Sequence, residues 1–338
     1  MLHNLAASNF YHPASSIEIP PRYTSTMSRR FRDDLVYRVL LAVLEIGGRL
    51  PLWLTRATLP WLVQLALLFM KRERRRIWEH IGIAFPELDD KERRQLVRGT
   101  ARHFGKQLAE VAWLWRADAS DVEKICDVEG IEHLVGAIDE GRGAIMATGH
   151  VGNWELLNAR LAVAGVPITL AVRELDDSRV DELIMKLRTK FGSEVIHRSG
   201  SAGRQLIRSI LAGRGIGLLI DQDIPSIPGV FVPFFGRLAW TPSGAAVLAL
   251  RTRCPLLTGF IHRRPDGSHV IKISPPLPAP NEGSLDDRVR ELTAAATAAV
   301  EWQIRAWPEQ WVWMHRRWRT RPENETVPPE PAADDAQG

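Results

Sequence analysis

The chain has 338 residues, 45% of them hydrophobic and 25% charged, with a formal net charge of +4. That length accommodates one large catalytic domain with an appendage or two modest domains, and the composition excludes a disordered or fibrous protein. The two cysteines, Cys126 and Cys254, stand far apart. They exclude a disulfide framework and a zinc site, and they point to a reducing compartment.

Roughly the first thirty residues mix Ser, Pro, His and Asn, lack the apolar core of a signal peptide, and read as a loose tail. Met27 opens Met27-Ser28-Arg29-Arg30-Phe31-Arg32 and is the expected natural start. From residue 35 to 70 the chain turns apolar. Residues 50–70 are long enough to cross a bilayer, which takes about 20 residues, but Arg56 lies inside and Pro51 and Pro60 interrupt helix bonding. A span, an in-plane helical pair and a buried core pair all fit. The block Lys71, Arg72, Arg74, Arg75, Arg76 follows, placed to meet anionic headgroups and hold the remainder on the cytoplasmic side. Tryptophan outnumbers tyrosine 12 to 3, which suits a membrane interface or a core equally.

Residues 76–117 read as helical, broken at Pro86 and Asp89-Asp90. Gly141-Arg142-Gly143 then precedes the short apolar run 144–147, and Gly213-Arg214-Gly215 precedes the run 216–220. Both read as buried strands. The first ends in Thr148-Gly149-His150 and the second in Asp221-Gln222-Asp223, polar clusters at strand ends where α/β sheets gather ligands. A helix is expected over 242–251 with Thr241 as cap, then strands over 256–262 and 269–273 around the turn Pro265-Asp266-Gly267. A last helix covers 285–307, and beyond Arg321 the chain reads as disordered.

The segment with chemical content is Gly149-His150-Val151-Gly152-Asn153-Trp154-Glu155. On one continuous helix His150 and Glu155 would lie about 140° apart and could not cooperate. If His150 ends a strand and Gly152-Asn153 turn the chain, Asn153 caps the next helix and Glu155 sits in its first turn, able to reach back to the imidazole. That is a base with its orienting carboxylate, and no protein nucleophile is needed. No Gly-x-Ser-x-Gly elbow, His-Glu-x-x-His, Walker loop or Cys-x-x-Cys occurs. Taken alone, the spacing also fits a structural histidine at a strand end.

The same segment resembles the His-x4-Asp/Glu motif of lysophospholipid acyltransferases, and more specifically the late acyltransferases of lipid A biosynthesis with their mannoside-acylating relatives. Further matches follow in order. They include Ala84-Phe85-Pro86-Glu87-Leu88, Asp221-Gln222-Asp223, Val230-Phe231-Val232-Pro233-Phe234-Phe235, Arg263-Arg264-Pro265-Asp266-Gly267 and the run Pro308-Glu309-Gln310-Trp311-Val312-Trp313-Met314-His315-Arg316-Arg317. Together they span about residues 35–322. The Gly152–Glu155 segment itself looks more like the mannoside-acylating and generic branches than the main lauroyl transferases.

The resemblance implies an α/β fold, a central mixed sheet flanked by helices in the manner of glycerolipid acyltransferases, with an N-terminal membrane-associating helical segment. It divides the chain into a tail (1–30), membrane-associating helices (31–76), an acyltransferase domain (77–322) and a second tail (323–338). It further implies a fatty acyl donor on acyl carrier protein or coenzyme A and a lipid A precursor or related glycolipid as acceptor. His150 would be the general base, with Glu155 fixing its tautomer. Arg173 would hold an acceptor phosphate, and Asp221, Asp223 and Asn153 would contact substrate. Asp221 and Asp223 could instead orient the site's basic residues or form a buried structural pair. The apolar run 230–235 reads as an acyl channel or as plain core, and the terminal Trp/Arg block as an interface anchor or a dock for an acidic carrier. The expected location is the cytoplasmic face of the cell inner membrane, single-pass or monotopic, with no metal, no cofactor and no nucleic-acid partner. The competing readings are transfer to a lysophospholipid, phosphatidylinositol mannoside or amino-acid lipid, a thioesterase using water, and a non-catalytic basic membrane-binding protein.

Overall fold

The computed structural model describes residues 26–198 and 200–323; the two tails expected at the termini lie almost wholly outside them. Five helices come first: α1 (Thr26–Gly47), α2 (Leu52–Phe69), α3 (Lys71–Ala84), α4 (Asp90–Leu114) and α5 (Ala119–Ile125). Strands and helices then alternate: β1 (Cys126–Glu129), α6 (Ile131–Asp139), β2 (Ala144–Thr148), α7 (Trp154–Val163), β3 (Ile168–Val172), α8 (Ser178–Thr189), β4 (Glu194–His197), α9 (Ala202–Leu211) and β5 (Gly215–Leu219). The hairpin β6 (Gly229–Phe234) and β7 (Arg237–Pro242) leads to α10 (Gly244–Thr252), β8 (Leu256–Arg263), β9 (His269–Ile273) and α11 (Leu285–Ala306).

The sheet has seven strands in the order β1-β9-β8-β2-β5-β3-β4, with β8 and β9 antiparallel and every other pair parallel. This is the mixed sheet flanked by helices expected from the sequence. Alternate residues of each strand enter opposite layers, as the two-residue strand period requires. Ile145, Ala147, Ile216 and Ile220 pack with Leu206 and Ile210 of α9, Ala245 and Ala249 of α10, and Val289 and Leu292 of α11. Ala144, Met146, Ile168 and Leu257 pack on the other side with Leu114, Val122, Leu134 and Leu156. The reversal of strand order brings β2 and β5 together although a long stretch of chain separates them, so the two polar strand ends meet.

The break in the long helical stretch falls where Asp89 caps α4, its carboxylate accepting from the Glu92 amide while Glu92 returns a bond to the Asp89 amide. The cap expected at Thr241 is not formed. Thr241 lies in β7, buried and taken by the Arg317 guanidinium at 2.6 Å, and the helix starts after Ser243. The hairpin β6–β7 is core rather than channel at its end: Phe234 and Phe235 pack edge-on with each other and against Trp311, Trp313 and Phe85. The terminal Trp/Arg block is likewise interior. Trp311, Trp313 and Arg317 are each 0% exposed, which excludes them as surface anchors. Arg317 reaches the carbonyl of Trp240 and stacks over Phe234.

One helix among the described residues, α2, is apolar and long enough to cross a membrane, and its window is only 11% buried. Trp53, Trp61, Leu62, Leu65, Leu68 and Phe69 stand exposed along it. Pro60 lies against Gly105 of α4, where any Cβ would come within 2.3 Å of the Pro60 Cα, so the two helices cross with backbones nearly touching.

Candidate active site

The segment after β2 turns on Gly152, whose φ of +63° favours glycine and whose Cβ, if present, would lie 2.1 Å from the Ile261 carbonyl oxygen. Its amide donates to the Gln310 carbonyl at 2.8 Å, and Val151 bridges to Trp311. Asn153 then caps α7, accepting the Leu156 amide at 3.2 Å. The strand–turn–helix expected from the sequence is therefore present, with His150 at the carboxyl edge of the sheet.

His150 meets Asp221, not Glu155. Its Nδ1 lies 2.8 Å from Asp221 Oδ1, and its backbone amide donates to Asp221 Oδ2 at 2.8 Å. The Trp311 indole donates to the same Oδ2, also at 2.8 Å. Burial alone would push the Asp221 carboxyl up, but the adjacent imidazole and these three N–H groups outweigh it and hold the pKa at about 2. An ionised Asp221 accepts a proton-bearing Nδ1 and so leaves His150 Nε2 with its lone pair free, the tautomer a general base requires. The Gln222 side-chain amide lies 3.4 Å from that Nε2. The Trp154 ring stands edge-on to the imidazole, with centroids 4.8 Å apart.

The expectation that Glu155 reaches back to His150 is corrected by this geometry. Glu155 lies in the first turn of α7, but its carboxylate is drawn to Arg188 of α8 by a forked contact at 2.6 and 3.0 Å. A guanidinium offers two parallel charge-assisted bonds where a neutral imidazole offers one, so Arg188 wins. Glu155 also accepts from the Trp154 indole at 3.2 Å, the ring that stands edge-on to the imidazole. A narrow, largely apolar cavity of about 40 Å³ lies beside these groups, walled by Trp154, Glu155, Arg188, Leu170 and Gly217.

The remaining expected site residues divide sharply. Asp221 faces His150, a basic residue of the site, as one of its expected readings had it. Asp223 is buried with both carboxylate oxygens on Thr320, at 2.6 and 2.8 Å, which pins the C-terminal segment to the sheet edge. Asn153 is 0% exposed, its amide donating to Glu110 at 3.0 Å, so its side chain serves the fold. Arg173 stands exposed just beyond β3 on the same edge of the sheet. His315 is pushed down to about 4 by burial and accepts the Asp223 amide at 2.9 Å.

Sequence reasoning missed Glu110. It is 1% exposed and binds Arg263 through a fork at 2.6 and 2.7 Å, Arg56 at 3.0 Å and His269 at 3.2 Å. Burial favours its neutral form, but Arg263 and His269 outweigh that and keep it ionised. The signal was Arg56: a cation within an apolar helix needs a buried partner. Through Asn153 this cluster ties α2 and α4 to the catalytic turn. Glu110→Ala should lower stability by about 3–5 kcal/mol, because it leaves two guanidiniums uncompensated. Thermal denaturation in detergent measures it, and a loss under about 1 kcal/mol would contradict the cluster's structural weight.

Asp221 also sets a pH window. Its folded pKa of about 2 lies below the ordinary 3.8, so its contribution is complete above pH 4 and is lost as pH falls towards 2. Asp221→Asn should therefore flatten the pH dependence of stability between those values in acid titrations followed by circular dichroism.

A parallel-dominated sheet carries a histidine–carboxylate pair on its carboxyl edge, the place where α/β enzymes gather their ligands. Cys126 and Cys254 are both buried, and burial pushes the Cys126 thiol up to about 12, so neither supplies a thiolate nucleophile. The bacterial lipid A biosynthesis acyltransferases match the chain over residues 26–320, and the chain belongs to that family of acyltransferases. It is 30% identical over 264 residues to the lipid A biosynthesis lauroyltransferase of Escherichia coli K12, covering 77% of this chain and 83% of the relative. The palmitoleoyltransferase of the same organism is 26% identical, covering 76% and 82%. A phosphatidylinositol mannoside acyltransferase of Mycolicibacterium smegmatis is 27% identical over 226 residues, covering 66% of this chain and 72% of the relative. Across the whole chain the lauroyltransferase is thus at least as similar as the mannoside-acylating enzyme, whatever the local likeness at Gly152–Glu155.

Proposed function

We propose that this enzyme transfers a fatty acyl chain from a thioester of acyl carrier protein or coenzyme A to a hydroxyl of a lipid A precursor or related glycolipid at the inner-membrane surface. The observation that carries the reading is the His150–Asp221 pair on the sheet edge. His150 Nε2 takes the proton of the acceptor hydroxyl as its oxygen attacks the thioester carbonyl. The tetrahedral adduct then expels the thiolate, which recovers the proton from the imidazolium. Asp221 stays ionised throughout, holding Nδ1–H and stabilising the transient positive charge. Gln222 lies at the nitrogen that the hydroxyl must approach, and the exposed Arg173 is suited to an acceptor phosphate. Glu155 supports the pair by fixing Trp154 and Arg188.

The lipid A names of two relatives and the mannoside name of a third agree on a glycolipid acceptor and differ on which one. The exposed α2 supports a membrane location, where both lipid and product reside. The test is a transfer assay in which the chain in membranes receives labelled acyl-carrier-protein or coenzyme A thioesters and a total bacterial lipid extract, with products identified by mass spectrometry. A new acylated glycolipid is expected. Release of free fatty acid without any acylated lipid would instead mark a thioesterase.

A further inference from the structure

A second cavity, of about 440 Å³, opens between α4, the end of β8 and the turn of residues 308–310 before Trp311. Its size falls within the usual range for small-molecule sites and exceeds what a lone phosphate fills. The wall carries Arg102, Lys106, Arg263 and Arg264, with Trp307 and His103 between them. Two of these charges are already spent: Arg263 on Glu110, and Arg264 on Asp127 and Glu129. Arg102 and Lys106 are not. They lie four residues apart on one face of α4, exposed, and among the described residues neither forms an ion pair or hydrogen bond. Glu309 is the carboxylate in the wall and offsets one of them, leaving the cavity net positive.

Although its side chain reaches solvent, partial desolvation and then Arg263 depress the Lys106 ammonium; Glu110 opposes this, and Arg56 and Arg102 add to it, so several cations crowd here. His103 is held neutral chiefly by burial, and its Nδ1 faces Arg263 at 2.9 Å. Its Nε2 is buried without a hydrogen-bond partner among the described residues. Trp307 closes another side, its ring stacked on His262 with centroids 4.5 Å apart. An anionic polar group with an attached body fits such a space.

The neighbouring helix indicates where that body comes from. Gly105, beside Lys106, is the point at which α4 touches Pro60 of α2, and Arg56 of α2 reaches Glu110 behind the cavity wall. Thus α2 packs directly on the helix that walls the basic cavity, and its middle turns leave Trp61, Leu62 and Leu65 exposed. We propose that this cavity binds the phosphomonoester headgroup of a membrane lipid whose chains lie along α2. The site shares no residue with the His150–Asp221 pair, and it stands or falls independently of the transfer reaction.

The experiment uses the full chain in neutral detergent and measures binding of dihexanoyl phosphatidic acid, dihexanoyl phosphatidylcholine and inorganic phosphate by calorimetry. Arg102→Gln/Lys106→Gln is compared with Lys71→Gln/Arg72→Gln, which removes equal charge from α3. Both substituted positions of the first variant are exposed on α4, and an unchanged melting temperature verifies its fold. The expected result is binding of the phosphatidic acid that weakens at least about tenfold in the α4 variant and hardly at all in the α3 variant. Phosphatidylcholine should bind more weakly throughout. Equal binding in the wild type and the α4 variant, or equal weakening by both variants, would overturn the site. Inorganic phosphate binding as tightly as the lipid would overturn the lipid as its ligand.

Discussion

His150→Ala should abolish detectable acyl transfer, lowering turnover by roughly 10²–10⁴-fold, the range attributable to a positioned general base. The proposed acceptor is a neutral hydroxyl, a poor nucleophile at neutral pH, and the two cysteines are buried, so neither offers a thiolate in its place. Folding should survive. His150 is half-buried, and the Asp221 carboxylate it leaves behind retains the His150 backbone amide and the Trp311 indole as partners. Mass spectrometry of products gives the activity, and circular dichroism confirms the fold. Undiminished transfer would mean that the proton leaves by another route.

Asp221→Asn should fall nearly as far, by about 10²–10⁴-fold in turnover, with a smaller effect on substrate affinity. An amide in that place cannot stabilise an imidazolium, and one of its two faces must present N–H to groups that themselves donate. Three N–H donors converge on this carboxylate, from His150 twice and Trp311 once, and an amide can accept from only part of the set. Some loss of stability should accompany the kinetic defect, since the displaced donors are buried. Glu155→Gln should do less. It weakens the fork to Arg188 and the hold on Trp154, which shifts the wall of the site but leaves the His150–Asp221 pair in contact.

Much of this site was legible in the residues, for specific physical reasons. A glycine followed by asparagine between an apolar run and a helical pattern announces a strand, a turn and a cap, and each is found there. Polar clusters closing two short apolar runs announced a strand-end site. What local pattern could not convey was that β2 and β5 are neighbours, because adjacency across 71 residues depends on strand order, and strand order is settled by the whole sheet. The nearer carboxylate, Glu155, was therefore the natural choice for His150, while the distant Asp221 is the one in contact. The Trp311–Trp318 block failed for a related reason. Aromatic and cationic residues interleave both at membrane surfaces and in cores where a guanidinium stacks on rings, and composition does not distinguish the two. Glu110 looked like any acid on a helix, although Arg56 called for such a partner.

The measurement that bears most directly on the account is turnover of wild type, His150→Ala, Asp221→Asn and Glu155→Gln in one transfer assay, with labelled thioester donors and defined glycolipid acceptors. The expected order places Asp221→Asn close to His150→Ala and Glu155→Gln well above both. Retained turnover in Asp221→Asn together with collapse in Glu155→Gln would contradict it, and would return the orienting role to the carboxylate five residues after the histidine.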